Sequence, residues 1–184
     1  MIVRAVLAIS LALVVAGCGS EKQQAGGTTS ECQPLAGGGT TSRSGPGPAE
    51  TMYLTDVTVE TLDCADRVVF DFATDQPQAP GYQVAYQPGS TAKIEDGSGN
   101  SIEIAGSAFL VVKLQPAATA EITGEKLKLT YTGPRRFTPT GSRHVSEVVK
   151  TGDFEAVVTW VIGLDDQRPF AAKATDSQLI VDIG

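Results

Sequence analysis

The residues that could do acid–base or nucleophilic chemistry in this chain are few, and their spacing matches no common catalytic pattern. His144 is the single histidine, which excludes a zinc site built from two or three histidines. Ser142 and Ser146 flank it, but neighbours in sequence do not define the geometry of a nucleophile and its base. The stretch "DGSGNS" comes close to the G-x-S-x-G nucleophile motif and fits a hairpin turn better.

Carboxylates are the second possible source of chemistry. Asp165 and Asp166 could be interpreted as the paired carboxylates of a glycoside hydrolase. They lie between a long apolar alternation and Arg168, however, which is the composition of a solvated turn. Together with Asp96 they also lack the D-x-[DN]-x-[DN]-G spacing of a calcium loop. We therefore predict that the protein is not an enzyme and that it has no metal site and no cofactor.

One of the three cysteines follows an apolar run at the N-terminus. The run, Ala5 to Val15, comes after the basic residue Arg4 and would span about 17 Å as a helix, less than a roughly 30 Å bilayer core. This plan is typical of a secretory signal peptide, with a buried N-terminal helix or strand as the alternative. "VAGC", ending at Cys18, resembles a bacterial lipobox. That resemblance implies cleavage before Cys18 and acyl chains such as palmitate on it, which would anchor the chain to the outer face of the cell membrane.

The other two cysteines, Cys32 and Cys64, remain for pairing. An exported protein meets an oxidising setting in which disulfides persist, so we predict a Cys32–Cys64 bond. The alternative is two separate thiols, or one thiol buried as a small apolar residue. Since lipid and disulfide account for every cysteine, a cysteine nucleophile is not expected.

The densest positive charge lies in residues 126–150, where six basic residues are opposed by Glu147 alone, a net charge of +5 in a chain whose net charge is −7. Within it, "TGPRRFTPTGSRH" places Arg135, Arg136 and Arg143 near an aromatic residue in an apparent loop. Guanidinium groups suit carboxylates and phosphates, and cell-envelope polymers supply both. We predict that these three arginines face a ligand; the alternative is a solvated loop whose arginines pair with acidic residues.

The chain changes composition at about residue 50. Residues 19–50 are rich in Gly, Ser, Thr, Gln and Pro, and such a segment buries too little apolar surface to offset the entropy of ordering. We predict a signal peptide over residues 1–17, the lipidated cysteine and a flexible linker over residues 18–50, and one folded domain over residues 51–184. The acidic balance argues against nucleic acid as a partner.

Short alternating stretches dominate the predicted domain. In "DFEAVVTWVIGL", Phe154, Val158, Trp160 and Leu164 would share one face of a single strand. "RVVFDFA" and "KLKLTY" alternate in the same way, and Thr151-Gly152-Asp153 gives a turn signal. Further strand candidates are Met52–Thr61, Tyr82–Tyr86, Ile102–Ile104, Phe109–Leu114, Val145–Lys150, Phe170–Thr175 and Leu179–Ile183. Many short strands without crossover helices predict an all-β fold, an antiparallel β-sandwich, with a barrel less favoured.

Four stretches in this order, "DRVVFDFA", "TGPRRFTP", "VSEVVKTGDFEAVVTWVIGLD" and "RPF", resemble the AMIN-like domain of actinobacterial secreted proteins and lipoproteins. The resemblance covers roughly residues 51–184, and "GDFEAVVTWVIGLD" is its most specific part. It implies a non-catalytic β-sandwich that localises to peptidoglycan, and it carries over no ligand residues. The expected protein is a membrane-anchored envelope lipoprotein that binds a cell-wall component, peptidoglycan above all. The alternative is a protein–protein scaffold that recruits an envelope enzyme through an exposed sheet edge.

Overall fold

A computed structural model describes residues 32–73, 77–88, 94–95 and 98–184. The predicted signal peptide and Cys18 lie outside these residues. The described strands are β1 (Arg43–Gly45), β2 (Met52–Thr61), β3 (Asp66–Phe72), β4 (Tyr82–Tyr86), β5 (Ile94–Glu95), β6 (Ser101–Ile102), β7 (Ala108–Leu114), β8 (Ala117–Ala118), β9 (Ala120–Thr123), β10 (Lys126–Leu129), β11 (Arg136–Phe137), β12 (Val145–Phe154), β13 (Val157–Leu164), β14 (Phe170–Thr175) and β15 (Gln178–Ile183).

Two sheets make up the body of the fold. A six-stranded sheet has the order β1-β4-β7-β13-β12-β11, and a five-stranded sheet has the order β14-β15-β3-β2-β8. Among the described strands only β2 and β8 pair in parallel. Two separate two-stranded sheets, β9 with β10 and β5 with β6, complete the set. The all-β, predominantly antiparallel fold predicted from the sequence is confirmed. Within the described residues, no helix has the length and apolarity needed to span a bilayer.

The core lies between the two large sheets, because strands of both turn alternate apolar side chains inward. Val158 and Trp160 of β13 and Phe70 of β3 are fully buried in one cluster. The Trp160 ring meets Phe70 and Tyr131 edge to face, with centroids 6.2 Å and 5.5 Å apart. Such contacts add about 0.5–1.5 kcal/mol each to the area that the rings bury.

A second, smaller cluster covers the opposite face of the six-stranded sheet. It contains Ile104, Phe109, Val149 and Val161, all buried. The chain crosses this face closely at Gly163, where an added Cβ would lie 2.0 Å from the carbonyl oxygen of Ala105. This second cluster explains why the β13 sequence is apolar on both faces rather than on one.

The stretch predicted as a single strand from Phe154 is a hairpin instead. β12 continues to Phe154, which pairs with Val157 of β13 across the two residues Glu155 and Ala156. The φ angles of those residues are 51° and 57°, the left-handed conformation that a two-residue hairpin turn requires. The predicted turn at residues 151–153 was wrong, because Gly152 sits at a register shift inside β12.

Residues 32–45, the N-terminal strap, are ordered against the sandwich. β1 pairs with β4 through Arg43 and Val84, and Gly39 exchanges backbone hydrogen bonds of 3.1 and 2.9 Å with Phe170 of β14. The strap thus supplies the outer strand β1 of the six-stranded sheet and pairs with the outer strand β14 of the five-stranded sheet, and Cys32 begins the compact unit. The flexible linker predicted up to residue 50 is therefore corrected for residues 32–45. Backbone pairing orders this segment, and amino-acid composition does not reveal such pairing. Residues 18–31 lie outside the described residues.

Candidate functional site

Arg136, one of the three predicted ligand residues, lies on the edge strand β11 opposite Val149 of β12. Its Nη1 donates to Oε1 of Glu147 at 2.7 Å, and its Nη2 donates to the carbonyl oxygen of Glu103 at 2.9 Å. Glu147 is buried, and its other oxygen accepts the N–H of Ala105 at 2.9 Å. The guanidinium therefore cross-links β11, β12 and the loop that precedes β7.

Arg143 lies in the loop that enters β12. Its backbone N–H and those of His144 and Val145 all donate to the carboxylate of Asp66, over 2.6–3.0 Å. Asp66 is fully buried at the start of β3, and hydrogen bonds from N–H groups make such burial tolerable. The Nε of Arg143 donates to the carbonyl oxygen of Leu62 at 3.1 Å. This end of the loop is held by its backbone rather than arranged around a ligand.

The structure divides the predicted arginine patch between two places. About 13 Å of β12 separates its first residue, beside Arg143, from Val149 opposite Arg136. Arg135 lies at the second place, where its Nε donates to the carbonyl oxygen of Lys150 at 3.0 Å. The expected surface of three arginines is thus not formed as one patch, because Arg136 and Arg143 hold separate parts of the backbone together.

Arg135 and Lys150 meet in a depression of about 510 Å³ beside the β12–β13 turn. Besides these two residues it is lined by Ser98, Thr151, Gly152, Asp153 and Phe154. The Phe154 side chain is 74% exposed. We call this site the Arg135 depression. Lys150 is ion-paired with Asp153, so the guanidinium of Arg135 beside the exposed aromatic ring is the group that can hold an anion, while the ring offers a flat apolar surface to the rest of the same ligand.

Three neighbouring side chains hold Lys150 in position in this depression. Its Nζ donates to Oγ1 of Thr119 at 3.1 Å and lies 3.4 Å from Oδ2 of Asp153. It also stands 5.6 Å from the centroid of the Tyr131 ring, and Thr119 in turn donates to Asp153. This arrangement was not predictable from the sequence, since Thr119 and Lys150 come from distant stretches. Alternation along the predicted single strand placed Phe154 on the face of Trp160; because the chain reverses at Glu155 and Ala156, Phe154 lies opposite Val157 and is exposed instead.

His144 belongs to a different cluster, at the far end of β13. Its Nδ1 lies 3.5 Å from Oδ2 of Asp165, and Arg168 donates to both oxygens of that carboxylate at 2.8 and 3.2 Å. Burial acts to raise the pKa of Asp165, but the hydrogen bonds from Arg168 and His144 prevail and hold it below the usual 3.8. The hydroxyl of Tyr86 donates to the carbonyl oxygen of Arg168 at 2.6 Å and accepts its N–H at 3.0 Å. The cluster fastens the turn before β14.

Nothing in this cluster assembles a nucleophile with a base. The hydroxyl of Ser142 donates to the carbonyl oxygen of Val145 rather than to the imidazole of His144. Asp165 is an ion-pair partner of Arg168. Within the described ranges, no group of three or more His, Cys, Asp and Glu side chains is arranged to hold a metal ion.

The structure joins Cys32 to Cys64 by a disulfide with Cα atoms 5.4 Å apart. This is the pairing that the sequence predicts. The bond ties the first residue of the N-terminal strap to the turn between β2 and β3.

The family model for the AMIN-like domain matches residues 52–184. The match spans well over half of the chain, which therefore belongs to the AMIN-like domain family, as its motifs predict. AMIN-like domains are generally non-catalytic binding domains, and the family implies an extracytoplasmic, envelope-associated role. No curated protein and no solved structure matches the chain.

Proposed function

We propose that this protein is a non-catalytic lipoprotein, anchored through Cys18 to the outer face of the cell membrane, whose domain binds an anionic cell-wall component, specifically peptidoglycan. The observation that carries the proposal is the Arg135 depression, in which a guanidinium, an ammonium group and an exposed aromatic ring lie side by side. The family relationship supports a wall ligand, and the chain is otherwise acidic, so an anion meets repulsion over most of its surface.

Each group has a role in this proposal. The guanidinium of Arg135, oriented by its bond to the carbonyl oxygen of Lys150, pairs with a carboxylate of a peptide stem. Lys150 is ion-paired with Asp153 at 3.4 Å, so Arg135 supplies the net positive charge of the depression, and the ring of Phe154 packs against the apolar face of a sugar. Asp153 accepts hydrogen bonds from sugar hydroxyl or stem amino groups. Arg136 and Arg143 act through the backbone that they hold.

Sedimentation of the full-length chain with purified peptidoglycan tests the proposal. Arg135→Ala should weaken binding about tenfold, the loss of one charge-assisted hydrogen-bonded pair. Arg135→Lys should restore only part of the affinity, since Lys cannot bind a carboxylate through two parallel bonds. Phe154→Ser should weaken binding without changing its salt dependence, whereas salt should weaken wild-type binding.

Lys113→Ala is the matched control, because Lys113 is exposed on β7 and lies outside the depression. Its binding should equal that of the wild type. Equal sedimentation of Arg135→Ala and wild type at low salt would refute the proposed site. Sedimentation that is lost only when wall-associated proteins are stripped away would favour the scaffold alternative over wall binding.

The membrane anchor needs its own test. Intact-mass analysis of protein isolated from membranes should show residues 1–17 removed and acyl chains on Cys18. Cys18→Ala should leave uncleaved precursor or released protein. A membrane-isolated wild-type chain without added acyl mass would contradict the anchor and leave the wall-binding site untouched.

A further inference from the structure

The hairpin of β9 and β10 has two chemically distinct faces. Leu127 pairs with Ile122, and Leu129 pairs with Ala120, so these four side chains share one face. The other face carries Lys126 and Lys128 with Thr123 and Glu121 opposite them. Ile122, Leu127 and Leu129 are 73%, 66% and 60% exposed. An apolar face of this kind on a surface hairpin is an interaction site rather than part of the core.

The lysines of this hairpin are also uncommitted within the described residues. Lys126 and Lys128 are exposed, and neither forms an ion pair with a described residue. Lys128 lies directly opposite Glu121 in the pairing register, yet the two are not joined by a salt bridge. The positive charges of these two lysines are therefore available to a ligand that binds along the outer edge of β10.

The outer edge of β10 is open as well. β9 and β10 form a sheet of two strands, and β10 pairs only with β9 among the described strands. In the two large sheets, by comparison, the N-terminal strap adds β1 beside β4 and pairs Gly39 with Phe170 of the outer strand β14. The base of the hairpin is held firmly, because the N–H groups of Thr130 and Tyr131 both donate to the carbonyl oxygen of Thr119. The hairpin thus has a closed base and a row of backbone groups available for a third strand.

We propose that β10 binds an extended peptide segment of a partner protein as a third strand, and that this segment alternates acidic with apolar residues. Backbone hydrogen bonds to the open edge provide the docking. Acidic side chains of the segment stand beside Lys126 and Lys128 on one face, and its apolar side chains extend the surface of Leu127 and Leu129 on the other. Side chains directly opposite each other in a sheet interact, so the alternation of β10 selects the complementary alternation. The proposal is independent of wall binding at the Arg135 depression.

A second copy of this chain does not fit the same edge. Antiparallel pairing of β10 with itself about Leu127 or Lys128 sets lysine opposite lysine. A register shifted by one residue sets Lys126 opposite Leu129 and places charge on the apolar face. Each of these registers, which pair the full length of β10, therefore carries a penalty, and edge lysines commonly prevent self-association in this way.

A lipid bilayer does not fit either. Its hydrocarbon region leaves unpaired backbone N–H and C=O groups without hydrogen-bond partners, and a two-stranded hairpin with an open edge has a row of them. A third strand satisfies those groups, whereas lipid does not.

The test uses two synthetic peptides, Ac-Ser-Val-Glu-Val-Glu-Val-Ser-NH2 and the same peptide with Lys in place of Glu, each labelled with a fluorophore. Anisotropy titration of the full-length chain should show about tenfold tighter binding of the Glu peptide. The double substitution Lys126→Glu with Lys128→Glu should reverse that preference and leave the fold intact, since both side chains are exposed. Lys113→Glu, a single Lys-to-Glu reversal on the interior strand β7, should not alter it.

Two further measurements identify the mode of binding. The Glu peptide should protect the amides of residues 126–129 from hydrogen exchange. N-methylation of every second backbone nitrogen of the peptide should abolish binding when the methylated positions face β10 and preserve it when they face away. The reason is that alternate N–H groups of a strand point to opposite edges.

The proposal is overturned if the Glu peptide does not bind at millimolar concentration, or if the two peptides bind equally. It is also overturned if the double substitution leaves the preference unchanged or if β10 gains no protection. Flotation of the chain with anionic phosphatidylglycerol vesicles that disappears in the double variant would assign the hairpin to membrane instead. Peptidoglycan sedimentation of the double variant should match the wild type, which separates this failure from failure of the wall-binding proposal.

Discussion

Nη1 of Arg136 lies 2.7 Å from Oε1 of Glu147, so the arginine that follows "TGPR" in the sequence is bound to a buried carboxylate of its own fold. Glu147 is 7% exposed and has one other hydrogen bond, from the N–H of Ala105. The pair explains why two adjacent arginines, Arg135 before β11 and Arg136 on it, have different roles.

Removing the guanidinium should destabilise the protein. Arg136→Ala leaves a buried carboxylate without its cation, and we expect a loss of about 2 kcal/mol in the free energy of unfolding. Urea denaturation measures it, with Lys113→Ala, an exposed residue, as a control expected to change little. An unchanged midpoint for Arg136→Ala together with lost wall binding would show a ligand contact instead.

The Cys32–Cys64 bond should stabilise the domain and its strap. It spans 32 residues of sequence, for which chain entropy gives roughly 3–4 kcal/mol. Replacing both cysteines by Ser should lower the free energy of unfolding by about that amount and increase hydrogen exchange at Arg43–Gly45. Alkylation of both thiols in wild-type protein without reductant would contradict the bond.

Asp165 should make stability depend on acid pH. Its pKa in the folded protein lies below 3.8, because the bonds from Arg168 and His144 outweigh burial. A carboxyl with a lowered folded pKa contributes stability above its unfolded pKa and loses it as the pH falls through the folded value. The urea midpoint should therefore fall less between pH 6 and pH 3 in Asp165→Asn than in wild type. The exposed neighbour Asp166→Asn serves as control, and equal falls in wild type and Asp165→Asn would disprove this linkage.

A substitution in the β12–β13 turn should stabilise the protein. Ala156 has a φ of 57°, a left-handed conformation that costs a residue with a Cβ about 1–2 kcal/mol. Ala156→Gly should thus stabilise the protein by about 1 kcal/mol. Ala174→Gly, in the regular strand β14, should destabilise it by about 0.5–1 kcal/mol. Thermal unfolding of both variants decides the point, and a destabilised Ala156→Gly would contradict it.

The all-β fold was predictable because alternation is a local property of the sequence. β2 and β4 have the predicted bounds, and Trp160 lies on the buried face that alternation assigns to it. The hairpin at Glu155 was missed because neither turn residue is Gly or Asn, and a strand that reverses direction can keep the same apparent period. The strap was missed because its order comes from partners more than thirty residues away, such as Val84 and Phe170.

The site was less predictable than the fold. Sequence identified a basic segment, but it could not show that Glu147 binds Arg136 or that Asp66 holds the backbone beside Arg143. Those acidic partners lie on other strands or at other registers, and only pairing brings them close. The position of Lys150 in the Arg135 depression depends in the same way on Thr119, which lies between β8 and β9.

The direction of β2 gives the domain a polarity. Cys64, joined to Cys32, follows the end of this strand, whereas β8, which leads into the β9–β10 hairpin, pairs with its first residues at Met52. Ten residues of strand separate these two points, about 33 Å. The disulfide and the start of the hairpin therefore lie near opposite ends of β2, so a ligand bound at one end is held about a strand's length from the other.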